Sequence, residues 1–197
     1  MGEKPLDLRI QKTYGSLIQA FLKLLEEKTF ESITVNEICD RAMVRRATFY
    51  KHFGDKYEFF SFMVHYTWDT FFRQSLPDQS TPSGIEPYMS IIKNMLDFMD
   101  ENDRLVQSML KSNVLPVLIE IVSEQVAREL KQQICEDEKK GIPPLLPADL
   151  LAQAYTGALM STARWWVHHR DQISKEEILN QMTKLICRLY FGTEEYM

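Results

Sequence analysis

The sequence predicts an all-α protein, with an N-terminal three-helix head carrying a helix-turn-helix and a C-terminal helical-bundle body. Three observations predict it. Apolar residues recur at helical spacing along nearly the whole chain and no alternating strand pattern competes. The run TVNEICDRAMVRRATFYKHFGDK, 34 to 56, holds two short helical patterns joined by a tight break. The 197 residues are 45% hydrophobic and 11% aromatic, a globular composition with ample material for a core.

The elements follow in order. Ile10, Tyr14, Leu17, Ile18, Phe21, Leu24 and Leu25 form a helical stripe suited to covering two short helices. The first of these opens at Thr34, and Glu37 three residues later lets hydroxyl and carboxylate cap each other's orphan amides. Val35, Ile38, Cys39 and Ala42 recur at i, i+3, i+4 and i+7, a buried face. A turn at Met43 leads into the second, which starts near Arg45. There Phe49 and Phe53 lie one turn apart and leave Ala47, Thr48, Tyr50 and Lys51 pointing away from them. Asp55 and Glu58 give another cap signature, and the aromatic-rich run from Lys56 to about Gln74 reads as a helix linking head to body. PDQSTPSG, 77 to 84, breaks it.

Helices are expected over 86 to 101, 103 to 112 and 115 to 139, the last tolerating Pro116 in its first turn. KKGIPPLLP, 139 to 147, is a loop. A helix follows over about 148 to 169, and a final one over 175 to 191 begins with the box Ser174 to Glu177 and stops before Gly192. The domain division is therefore 1 to 56, a helix-turn-helix head, and 57 to 197, a helical body.

Charge supports that division. The chain carries −5 overall, but residues 1 to 56 hold ten Lys/Arg against eight Asp/Glu, and the remainder thirteen against twenty. A mildly basic head on an acidic body predicts local, salt-sensitive attraction to phosphate. On the exposed side of the second motif helix, Arg45, Arg46, Thr48, Tyr50, Lys51 and His52 have the chemistry for a duplex. Arginine can pair in a bidentate way with guanine, threonine can meet a base edge or thymine methyl, and lysine and tyrosine can hold phosphate. Thr34 completes this set at the first motif helix, and Lys56, in the first turn of the linking helix, can join the helix dipole at a phosphate.

At ATFYKHFGDK, 47 to 56, together with the TV-xx-IC start at 34 to 39, the chain resembles the TetR/AcrR family of bacterial transcriptional regulators. The resemblance implies a TetR-like fold and operator contacts by Thr48, Tyr50, His52 and Lys56. It departs from the pattern at Met43, where the turn usually carries glycine, and at Arg45, where Ser or Thr usually starts the recognition helix.

Ala154, Gly157, Ala158 and Ser161 form a small-residue stripe, and Ile178, Met182, Leu185 and Leu189 an apolar one on the final helix. Two copies of such a pair make a four-helix interface, while the bland alternative is contact within one chain. The resemblance favours a homodimer presenting two heads to a pseudo-palindromic double-stranded DNA operator. Met63, Tyr66, Met95, Phe98, Met99, Met109 and Trp165, with Phe62, Tyr155 and Trp166 nearby in sequence, suit either a core or a small-molecule effector pocket. The resemblance implies the pocket, and a repressor released by its ligand.

Other classes find little support. There is no GxSxG, HExxH or phosphate-cradling glycine loop, so no enzyme is expected. Cys39, Cys135 and Cys187 are far apart and form no CxxC, so no metal site, disulfide framework or cofactor is expected. The charged N-terminus and the lack of an apolar run of membrane length point to an unprocessed, cytoplasmic protein with no membrane partner. The alternatives are a helical protein-binding or scaffold module, and a TetR-like activator that needs no small-molecule inducer.

Overall fold

A computed structural model describes residues 8 to 69 and 86 to 191, with side chains described through 188 and, in the helix that opens at 86, from 89 onward. Among the described residues every regular element is helical: α1 (Leu8–Glu27), a 3-10 turn (Phe30–Ser32), α2 (Val35–Ala42), α3 (Arg46–His52), α4 (Lys56–Thr67), α5 (Glu86–Glu101), α6 (Asp103–Leu110), α7 (Leu115–Lys139), α8 (Ala148–Val167) and α9 (Lys175–Phe191). The breaker run 77 to 84, the far end of the linking helix and the stop at Gly192 lie outside the described residues.

The capping signatures form as their spacing predicts. Thr34 Oγ1 accepts from the Glu37 amide while Glu37 Oε2 accepts from the Thr34 amide, so both orphan donors at the start of α2 are satisfied. Asp55 Oδ1 takes the amides of Tyr57 and Glu58, at 2.8 and 2.9 Å, and Glu58 reaches back to the Gly54 amide instead of its own cap residue. Ser174 Oγ accepts from Glu177 N at the start of α9. The recognition helix differs: its N-cap is Arg45, whose side chain makes no cap. The turn before it holds Met43 at φ 53, ψ 38, a left-handed conformation that L residues adopt at a cost on the order of 1 kcal/mol.

Two compact units emerge. The first comprises residues up to Tyr66 together with Asn102–Leu118. Its core is aromatic: Phe21, Phe30, Phe49, Phe59 and Phe60 are fully buried, with edge-to-face pairs such as Phe21 to Phe59 at 5.4 Å and Phe49 to Phe59 at 5.5 Å. α1 covers α2, and α6 packs on α1, so a segment far down the chain completes this unit. Glu31 fastens the arrangement by accepting from Asn113 N at 2.7 Å and Ser112 Oγ at 3.1 Å. The second unit comprises Thr67–Glu101 and the chain from Ile119 onward. α5, α8 and α9 pack together around Ile92, Leu151, Tyr155, Trp166 and Ile186, and the Trp166 indole donates to the Ile173 carbonyl.

Candidate nucleic-acid interface

α3 is held from beneath. Phe49 and Phe53 are buried against Phe59, and this fixes which side chains of a seven-residue helix face outward. Arg45, Arg46, Ala47, Tyr50 and Lys51 are exposed, Thr48 and His52 half-buried. Tyr50 is 55% exposed, although its ring lies edge-on to Phe49. Thus Arg45, Arg46, Thr48, Tyr50, Lys51 and His52, singled out from sequence, are gathered on one short helix and its cap. Thr34 is exposed at the start of α2, but its hydroxyl is engaged with Glu37.

α2 and α3 are themselves pinned to α1. Arg41 makes a two-point pair with Glu27, at 2.6 and 2.8 Å, and Lys28 pairs with Glu37. The Lys28 ammonium and the Thr34 amide and hydroxyl hold the Glu37 carboxyl down to about 2. Tyr14, on α1, meets the recognition helix through a hydrogen bond of its hydroxyl with His52 Nδ1 at 3.2 Å.

Lys56 differs from the sequence expectation of an ammonium free to meet phosphate. Its Nζ donates to the carbonyls of Phe30, Glu31 and Ile33 at 2.9, 2.9 and 2.7 Å, and it sits 4.7 Å from the centre of the Phe30 ring. An ammonium has three N–H donors, and all are spent on the 3-10 turn. Burial pushes this group below the usual lysine value, against the pull of Glu31 and Glu37. A phosphate contact by Lys56 would need one of those carbonyls to be released. No spacing rule could have found this clasp, because a helix-opening lysine and a turn 25 residues upstream share no periodic signal.

The dimer candidates divide. Ala154, Gly157 and Ser161 are exposed along α8, and a Cβ at Gly157 would meet nothing within 4 Å. Leu150 and Trp165, 56% and 46% exposed, extend the same face, while Ala158 is half-buried. On α9, Leu185 is 38% exposed, but Ile178 and Met182 are 5% and 4% exposed. These two are core residues of their own unit, a correction to their placement at a surface between copies. The stripe on α9 is wide enough that its period alone does not say which edge faces inward. The side chain of Leu189 lies outside the described residues.

The effector candidates are dispersed. Met63, Tyr66 and Met109 belong to the first unit, and Met95, Phe98, Met99 and Trp165 to the second. Trp165 is a correction, since it lies on the surface, stacked on His169 at 4.2 Å. A void of ≈ 10 Å³, room for about one water, lies in the second unit among Ile91, Ile92, Leu130, Tyr155, Ala158, Leu159, Met182, Leu185 and Ile186. None of the seven candidates lines it; Tyr155 does. Its aliphatic lining gave the sequence no signal distinct from core. Among the described residues no group of His, Cys, Asp and Glu is placed to hold a metal, and no single helix is long and apolar enough to cross a membrane.

Comparison with known proteins adds to this geometry. Residues 17–61 match the family model described as "Bacterial regulatory proteins, tetR family", and residues 87–188 match that described as "Transcriptional regulator C-terminal region". A curated protein of Bacillus subtilis (strain 168), the uncharacterized HTH-type transcriptional regulator YxbF, is 40% identical over 63 residues, which span 32% of this chain and 17% of that one. A solved structure of a TetR-family regulator from Syntrophomonas wolfei str. Goettingen superposes with a TM-score of 0.70 at 16% identity, over 91% of this chain and 95% of that one. The dihydroxyacetone kinase operon activator DhaS superposes with a TM-score of 0.62 at 19% identity, over 92% and 98%.

Proposed function

The chain belongs to the TetR family of transcriptional regulators, with its helix-turn-helix in the N-terminal match, and from that premise we propose a homodimeric repressor that leaves a pseudo-palindromic operator when a small-molecule effector binds. The observation that carries the reading is the outward face of α3. Arg45, Arg46, Tyr50 and Lys51 are exposed on a helix anchored by Phe49 and Phe53, so cationic and hydrogen-bonding groups are held in fixed order on its outward side. Such a helix, seated in a major groove, reads base edges with its arginines and Thr48 and takes phosphates with Lys51, Tyr50 and His52. Thr34 and Lys56 act by shaping the head, at the start of α2 and under the 3-10 turn.

For two heads to engage one site the chains must pair. The open face of Ala154, Gly157 and Ser161, with Ala158 and Leu185 at its edge, supports pairing through α8 and α9. Effector release requires the ligand to bind the DNA-incompetent arrangement better, by roughly 1 to 3 kcal/mol of coupling. Each unit has adaptable side chains that could meet such a ligand, Met63, Tyr66 and Met109 in the first and Met95, Phe98 and Met99 in the second, and family membership is what supports a ligand. A second reading, activation in place of repression, is favoured by the likeness in fold to DhaS, whose description names an operon activator.

The experiment is selection of bound sequences from a random-duplex library by the purified protein, followed by affinity measured against salt. An enriched inverted repeat whose binding falls steeply with salt supports the dimeric regulator. Recovery of no preferred duplex overturns it and favours a protein-binding module. Placing the enriched site in a reporter promoter then separates repression from activation by the sign of the change.

A further inference from the structure

We propose that Tyr14 is a positioning residue for operator binding: its hydroxyl donates to His52 Nδ1, holds the neutral imidazole in its Nε2–H form, and so presents that N–H to a phosphate oxygen. The inference rests on the reading of the head as an operator-binding surface, and extends it to a residue on α1 that the motif does not contain.

The geometry fixes the phenol. Its ring lies 4.7 Å from Phe62 and 5.7 Å from Phe53, and meets the imidazole edge-on at 5.4 Å with an interplanar angle of 85°. The hydroxyl-to-Nδ1 contact, at 3.2 Å, links Tyr14 by hydrogen bond to the recognition helix. That contact admits two arrangements, because a neutral imidazole has one donor and one acceptor nitrogen. If Nδ1 carried the proton, Tyr14 would accept, and its own O–H, on a half-buried residue, would have to turn to solvent. If Tyr14 donates, its proton is satisfied and Nδ1 is the acceptor. The hydrogen bond at one ring nitrogen sets where the proton sits on the other. Burial also raises the phenol above its usual value, so it keeps the proton it donates. With Nδ1 accepting, Nε2 carries the proton of the neutral ring and can donate it to a phosphate oxygen.

The test uses the full chain and two variants, Tyr14→Phe, which keeps the ring and removes only the oxygen, and His52→Gln. In the free protein, long-range proton–nitrogen NMR at about pH 8.5, where histidine is neutral, is expected to show His52 protonated at Nε2, with a mixture of tautomers in Tyr14→Phe. Affinity for the selected operator is expected to fall roughly three- to tenfold per head in Tyr14→Phe. In the His52→Gln background the same substitution is expected to change affinity less than twofold, a coupling that a packing role would not give. Protonation at Nδ1 in the native chain overturns the proposal, as does an unchanged operator affinity or a loss of equal size in both backgrounds. Should the protein select no duplex, the regulator reading falls, while the NMR result still decides the tautomer assignment.

Discussion

Tyr50 and Lys56 sit six residues apart, both were expected at the duplex, and their surroundings give them different duties. Tyr50 is exposed on α3, so Tyr50→Ala should leave thermal stability within about 0.5 kcal/mol of native while weakening operator binding at least tenfold, as titration with the selected duplex would show. Lys56 holds three carbonyls, so Lys56→Met should lower unfolding free energy by about 2 kcal/mol in denaturant melts and reduce DNA affinity through a loosened head. A stable Lys56→Met protein that had lost only DNA binding would restore the phosphate role. The contrast also shows what the sequence made legible at this scale. Exposure on α3 followed from where Phe49 and Phe53 fall in the helical period. The partners of Lys56, Glu31 and Tyr14 are 23 or more residues away, and chain spacing carries no signal for them.

The elements themselves were legible because their start signals are local. Thr34 with Glu37 and Ser174 with Glu177 mark their helices within a residue, since a cap needs only a side chain and an amide three positions on. The Thr34 box also carries a pH dependence. Glu37 is lowered in the fold from an ordinary 4.5 to about 2, so its contribution is present above 4.5 and is lost as pH falls toward 2. Comparing native protein with Glu37→Gln, the stability gap in denaturant melts should be constant above pH 5 and close between about pH 4.5 and 2. A gap that persisted at pH 2 would show that the carboxylate charge is not what α2 uses. At the turn, Met43 is 94% exposed and left-handed, so Met43→Gly should raise stability by about 1 kcal/mol with little packing lost. Unchanged or lowered stability would mean that the methionine is tied down by something other than its backbone.

At the scale of the whole molecule, the two helices proposed to pair copies contain residues of opposite kinds. Gly157 lies in open space, so Gly157→Leu should leave helical content intact and convert dimer to monomer in sedimentation. Met182 is 4% exposed, so Met182→Ala should instead cost about 2 to 5 kcal/mol of unfolding free energy without selectively dissociating the pair. A periodic stripe announces that a helix has an apolar side; only packing against α5 and α8 shows which edge is taken. The head, likewise, is not a contiguous piece of chain: Asn102–Leu118 belongs with the first 66 residues, and Glu31 finds its donors at Ser112 and Asn113. During synthesis, therefore, the N-terminal helices emerge before the segment that completes their packing exists. At about 5 to 20 residues per second, they wait several seconds with one side of α1 uncovered, an interval in which a chaperone, or another nascent copy, has access to a surface that the finished protein never presents.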